Sequence, residues 1–214
     1  MTHRRTALIA ELLIVFFLIP LLIANFGNGK GLIGILWGAV LITYLILRKH
    51  KEFTNLKVDW NWGAVTAANL KPIILRFIPC AILLCVFTLL YDPNRFLSFI
   101  LERPQIWAMV MVLYPLLSVV PQEFVYRTYF CKRYAPLFDN QNTLILFSAL
   151  AFGWMHIVLH NWVAISLCLI GGVFFAQTYL KHKSLALASI EHSLYGCYIF
   201  TIGLGWYFYH ARFQ

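Results

Sequence analysis

Apolar runs of roughly 20 residues recur along the whole chain, and no other feature restricts the fold as much. A hydrocarbon layer about 30 Å thick is crossed by about that length of helix. Within it every backbone N–H and C=O must find a partner, so only helices or closed barrels can span. The runs are continuous rather than alternating, which argues against a barrel. The sequence therefore predicts an all-α, polytopic transmembrane helical bundle of about seven spans, near 7–26, 31–48, 72–91, 105–130, 143–160, 162–180 and 184–208. With 61% hydrophobic and 12% charged residues and a mean hydropathy of +0.75, an ordinary soluble domain does not fit.

The formal charge of +9 does not describe a nucleic-acid surface. Its cations, among them Arg4, Arg5, Arg48, Lys49, Lys132, Arg133, Lys181 and Lys183, flank apolar runs instead of forming a patch. They alternate onto one side, which the positive-inside rule reads as cytoplasmic, with the N-terminus inside and the C-terminus outside. The expected setting is an integral membrane protein of a bacterial inner or cell membrane, with lipid as one partner. The run from Ala7 to about Phe26 is too long for a signal-peptide core, so it counts as the first span. Cys80, Cys85, Cys131, Cys168 and Cys197 lack metal-type spacing and read as reduced, packed residues.

Gly27-Asn28-Gly29-Lys30 reads as a tight turn. Residues 49–71 form the longest polar connection, with Trp60 and Trp62 marking an interfacial segment. Without an internal repeat or low-complexity tail, we expect one membrane domain. Residues 1–104 supply N-terminal helices and a cytoplasmic loop, and 105–214 supply the core that carries chemistry. Gly34 and Gly38 fit small-xxx-small helix packing, and Glu11 a bundle-facing or snorkelling carboxylate. His3, His50, His182 and His210 read as helix-end residues, and His160 as interfacial.

Function is expected where polar groups interrupt the apolar runs. Gln122, Glu123 and Arg127 lie inside one of them, and Glu123 and Arg127, four apart, share a helix face and can pair. Glu123 stands nine residues before Lys132 and His192 nine after Lys183, so each lies roughly 14 Å from the same membrane face. His156, fourteen residues past Asn142, lies roughly 20 Å deep before tilt is allowed for. Three separate helices thus bring Glu123, His156 and His192 to comparable depth, in one polar cavity expected to open toward the cytoplasm. A carboxylate with two histidines suits water activation: one group takes the proton and another orients water or protonates the leaving group. The same trio could hold zinc, so a metal is left open, with Glu123, His156 and His192 as its candidate ligands.

In order, the chain reads Gln122-Glu123-x-x-x-Arg127, Phe152-x-x-x-His156 and His192-x-x-x-Gly196. This resembles the CPBP (Abi) family of intramembrane proteases, relatives of the CAAX prenyl endopeptidases, over roughly residues 105–208. The family marks are Glu-Glu-x-x-x-Arg, Phe-x-x-x-His and His-x-x-x-Asn. The resemblance implies an integral membrane endopeptidase that cleaves a peptide bond near the cytoplasmic face, with Glu123, His156 and His192 catalytic. Gln122, Arg127 and Glu191 would support them, and a prenylated substrate is not implied. Two departures stand out. Gln122 occupies the place of the glutamate usually taken as the base, and Gly196 that of the asparagine that supports the oxyanion. Glu123 or Glu191 would have to replace the base, although Glu191 and His192, adjacent on a helix, diverge by about 100°. The competing class is a catalytically lapsed binding or bacteriocin-immunity-type protein on the same fold. A transporter is disfavoured because no paired broken helices or inverted halves are visible.

Overall fold

The computed structural model describes residues 2–27, 31–49 and 56–208. Among them there is no strand, and seven helices are long and apolar enough to cross a membrane. These are α1 (His3–Phe26), α2 (Leu32–Lys49), α3 (Ala67–Tyr91), α4 (Pro104–Leu137), α5 (Gln141–Leu159), α6 (Trp162–His182) and α7 (Leu185–Ile202). The all-α polytopic bundle is as the sequence predicts. Its core is built mainly from α4 to α7, and α7 is the most enclosed of the seven. Asn28–Lys30 of the expected first turn, and residues 50–55, His50 among them, lie outside the described residues, as does His210.

Helix starts follow from local side chains. Thr66, Asn140, Asn161 and Ser184 each accept a hydrogen bond from the backbone N–H three residues on, giving α3, α5, α6 and α7 side-chain N-caps. The last helix ends at Ile202, earlier than the expected 208, because Gly203 turns left-handed at φ +103°. A side chain there would also overlap the Arg95 carbonyl oxygen. Residues 204–208 then form a separate tight turn, tied down by Tyr207, which donates to Asp92 Oδ2 at 3.0 Å. Burial first, and then the Asp92 hydrogen bond, push the Tyr207 phenol up to about 12.

Partly buried polar pairs fix the helices that the apolar pattern leaves free to slide. Glu11 of α1 accepts from Arg133 at 3.0 and 2.8 Å, from Tyr129 at 2.7 Å and from Tyr134 at 3.0 Å. It faces the bundle, and Phe16 packs edge-on beside it against Tyr126, Phe130 and Tyr134. At the same end Asp59 pairs with Lys132, and Ser184 donates to the Trp60 and Asn61 carbonyls. The described part of the 49–71 connection is therefore folded onto the basic end, with Trp60 stacked on Trp62.

The small-residue expectation needs correcting. A side chain at Gly34 or Gly38 would meet nothing within 4 Å, so no helix among the described residues packs closely on that stripe. The close approach is between α5 and α6, where a methyl at Gly172 would lie 3.0 Å from Ala149 Cα and one at Gly153 would press into Leu169.

Candidate active site

Helix α4 positions half of the site, and it is irregular there for a reason. Pro115 and Pro121 have no N–H to give to the ladder, and wide i→i+5 turns occupy Pro115–Val119 and Phe124–Tyr129 around the short α-helical stretch Val120–Glu123. Each wide turn carries an extra residue, which re-aims the faces that follow by roughly 100°. Gln122 and Glu123, adjacent in the α-helical stretch, diverge by about 100°, and the wide turns set how that stretch faces relative to the rest of the helix.

Glu123 is fully buried and both of its oxygens are taken. Oε2 accepts from Arg127 Nε at 3.1 Å, and Oε1 meets His192 Nδ1 at 2.9 Å. Arg127, also fully buried, donates to Ser148 Oγ at 2.7 Å and lies over the Phe152 ring with Cζ 5.0 Å from its centroid. The expected Glu123–Arg127 pair is present, and it is part of a longer chain, Arg127–Glu123–His192.

His192 is held on every side. Its ring stacks on Phe175 at 4.5 Å and 13°, and Phe152 meets it edge-on at 5.4 Å. With Nδ1–H donating to Glu123, Nε2 is left as an acceptor, and the Tyr114 hydroxyl lies 3.2 Å from it. His156 reaches the same place from the end of α5. There the helix tightens into the turn His156–Leu159, and Nδ1 lies 2.8 Å from the Phe152 carbonyl, to which it donates. Its ring stands 5.0 Å from the Phe152 ring, so both histidines rest edge-on against one phenyl group.

These two rings line a cavity of about 1450 Å³, together with Tyr114, Ser118, Gln122, Phe152 and Gly196. The amide Nε2 of Gln122 donates to Ser118 Oγ at 2.7 Å, which leaves its carbonyl oxygen for the cavity. The wall includes Arg95, Glu102, Arg103, Trp206 and Phe208, and Glu102 and Arg103 are exposed. No lysine lines it, nor do Glu11, Asp59, Tyr129, Arg133 or Tyr134. The expectation of a cavity open toward the lysine-bearing end is therefore corrected: its wall reaches the opposite end, through the 92–104 and 203–208 connections. The reason lies in packing. Around the histidines the basic end is plugged by the Glu11, Arg133, Tyr129 and Tyr134 network and by Asp59–Lys132.

Glu191, the other candidate carboxylate, does not line the cavity. It is fully buried on another face of α7, paired with Arg76 of α3 and bonded to Thr178 of α6. The roughly 100° between adjacent helix positions sends it away from His192. Nor do Glu123, His156 and His192 form a ligand set. Among the described residues no group of three His, Cys, Asp or Glu side chains is arranged to hold a metal ion. Glu123 faces Arg127 and the Nδ1 of His192, and its side chain is not among those lining the cavity. As placed, the three side chains are not arranged as a zinc ligand set.

Sequence reasoning missed Tyr114, Ser118 and Phe175. Tyr114 and Phe175 look like two more aromatics in apolar runs, and Ser118 carries no motif. Only the Gly196 position hinted that something else must fill the space beside His192.

Fold and site together define a helical integral membrane protein with a buried carboxylate–histidine pair at an intramembrane cavity. Residues 104–198 match the Rce1-like family, described as type II CAAX prenyl endopeptidase, consistent with the CPBP resemblance of the three motifs. The match runs from the first residue of α4 to within four residues of the end of α7, so it contains Gln122, Glu123, Arg127, His156 and His192. No curated protein and no solved structure matches the chain.

Proposed function

We propose that this protein is an integral membrane endopeptidase in which His192, held by Glu123, activates water against a peptide bond lying in the cavity. The observation that carries this reading is the 2.9 Å contact between Glu123 Oε1 and His192 Nδ1, with the other ring nitrogen turned to the cavity wall. A carboxylate on Nδ1 fixes the tautomer and stabilises the imidazolium that forms when Nε2 takes a proton. Glu123 then acts through His192 and not on water directly. In the first step a water O–H bond breaks, Nε2–H forms, and the hydroxide oxygen bonds to the carbonyl carbon, whose oxygen takes the charge. In the second the C–N bond breaks and its nitrogen collects the proton from Nε2, leaving an acid and an amine. His156, with Nδ1 committed to the Phe152 carbonyl, offers Nε2 as an acceptor that orients the water. General base catalysis of this kind contributes about 10²–10⁴ in rate.

The substrate class is a peptide or protein segment, and nothing in the cavity requires a prenyl group. The charge bias of the loops supports a cytoplasmic lysine-bearing end and N-terminus, with the Glu102–Arg103 end of the cavity on the other side.

A second reading, a binding or immunity-type protein that has lost catalysis, is favoured by one observation. The cavity position that the resemblance gives to a carboxylate holds the Gln122 amide, which cannot accept a proton. Purified protein in nanodiscs with a quenched-fluorescence peptide library separates the two. The endopeptidase reading expects cleavage that His192→Gln abolishes with folding intact. Cleavage that appears only in Gln122→Glu would mean the natural chain is a lapsed protease.

A further inference from the structure

Gly196 stands one turn after His192 on α7, and the space its side chain would fill is occupied. A methyl built at Gly196 would overlap the Tyr114 ring and its hydroxyl oxygen. The phenol enters from α4, just ahead of Pro115 and the wide turn that follows. It is braced edge-on by Phe200, at 5.1 Å between centroids, and its hydroxyl lies 3.2 Å from His192 Nε2. The glycine is thus a notch, and the notch admits a polar group to the nitrogen that the proposed reaction uses.

We propose that Tyr114 is a further catalytic residue of this site: its hydroxyl, seated in the Gly196 notch, donates the hydrogen bond that stabilises the substrate's carbonyl oxygen as it takes negative charge. This rests on the endopeptidase reading above. Without substrate the hydroxyl meets His192 Nε2 as acceptor, so its hydrogen rests there and holds His192 as the Nδ1–H tautomer. A phenolic hydroxyl turns about its C–O bond without moving any heavy atom. When a peptide carbonyl enters, the hydrogen turns to that oxygen, and Nε2 is released to accept from water. Tyr114 keeps its proton throughout: the proton that moves runs from water to Nε2 and then to the leaving nitrogen. One group therefore caps the base in the empty site and serves the oxyanion in the loaded one. Donors placed in advance at developing charge are worth about 10²–10³ in turnover each.

The experiment compares wild type, Tyr114→Phe, Tyr114→Ala and the exchange variant Tyr114→Ala with Gly196→Asn, in nanodiscs, against a quenched-fluorescence peptide library. Tyr114→Phe is expected to lower kcat about 100-fold or more with KM within about threefold, since only the hydroxyl is removed. The exchange variant presents an amide donor from α7 into the space the phenol vacates, and it is expected to recover at least tenfold over Tyr114→Ala. If Tyr114→Phe fails to fold, this last pair decides. In ¹⁵N-histidine protein the Nε2 resonance of His192 is expected to shift in Tyr114→Phe, which a merely space-filling tyrosine would not cause. Wild-type cleavage with Tyr114→Phe equally active overturns the role of Tyr114 and leaves the endopeptidase reading standing. A wild type that cleaves nothing, while Gln122→Glu does, removes both.

Discussion

Glu123 and His192, 69 residues apart in the chain, share one hydrogen bond inside the bundle, and Arg127 holds the other oxygen of the same carboxylate. The arrangement explains how a carboxylate survives at that depth: neither oxygen is left without a partner, which would cost several kcal/mol in a low-dielectric setting. It also separates the roles of the two carboxylates considered for this site. Glu123 is coupled to the cavity through an imidazole, while Glu191 is neutralised by Arg76 on another face. The histidines are therefore the groups that a molecule in the cavity meets.

The Arg127–Glu123 pair makes the first prediction. Replacing Arg127 with leucine leaves a buried carboxylate facing only an imidazole, which should cost about 3–5 kcal/mol. Expression and thermal stability of Arg127→Leu should drop sharply. Adding Glu123→Gln removes the stranded charge and should restore part of the loss. A single variant as stable as the parent in a detergent melt would show that the pair contributes nothing.

How much of this was legible in the sequence depends on which physical signal each feature leaves. The seven spans were legible because hydrocarbon thickness writes its length into every apolar run, and the Glu123–Arg127 pair because helical spacing fixes it. Counting depth from Lys132 and Lys183 also brought Glu123 and His192 together. Three things were not legible. The cavity's direction depends on which end the Glu11–Arg133 network plugs, and that pairing joins residues 122 apart. The register of Tyr114, Glu123 and Arg127 along one helix depends on two wide turns that no periodicity announces. Tyr114 reads as one more aromatic until the space above Gly196 is seen to be filled.

The glycines give a prediction with opposite signs at equivalent-looking positions. Gly172 lies against the backbone of α5, where an added methyl would sit 3.0 Å from Ala149 Cα, and backbone does not yield easily. Gly172→Ala should destabilise by about 1–3 kcal/mol, the usual cost of overpacking. At Gly34 and Gly38 there is open space, and alanine should be neutral or slightly stabilising through helix propensity. Parallel thermal melts of the three variants decide it; equal losses at all three would contradict the packing described for α5 and α6.

Tyr207 and Asp92 set an alkaline limit at the end where the cavity wall is exposed. The phenol is neutral in the fold up to about 12, above its ordinary value of 10.0, because burial and its hydrogen bond to Asp92 both disfavour the anion. A group whose folded value is raised contributes stability that is complete below its unfolded value and lost as pH rises through the folded one. Here that window runs from 10.0 to about 12. The parent should therefore lose more thermal stability than Tyr207→Phe across that interval, and the two curves should run parallel below it. Parallel curves throughout would mean the Tyr207–Asp92 bond contributes nothing to this turn.

Orientation is the last prediction, and it ties charge to the direction of the cavity. Lys181 stands exposed at the basic end, and Arg103 stands exposed on the cavity wall at the other. A helix of 34 residues leads from Pro104 to Leu137, so these ends lie on opposite membrane faces. Each cationic residue kept inside is favoured by the charge bias of short loops, and the basic end holds Arg4, Arg5, Arg48, Lys49, Lys132, Arg133, Lys181 and Lys183. Single cysteines at Arg103 and at Lys181, in a chain whose five native cysteines are replaced by alanine or serine, should thus label from opposite sides of intact cells. A membrane-impermeant maleimide applied outside is expected to modify Arg103→Cys and to reach Lys181→Cys only after the membrane is opened. The reverse pattern would invert the protein and turn the exposed end of the cavity to the cytoplasm. Because Glu102 and Arg103 belong to the cavity wall, the same measurement reports which membrane face that part of the wall meets.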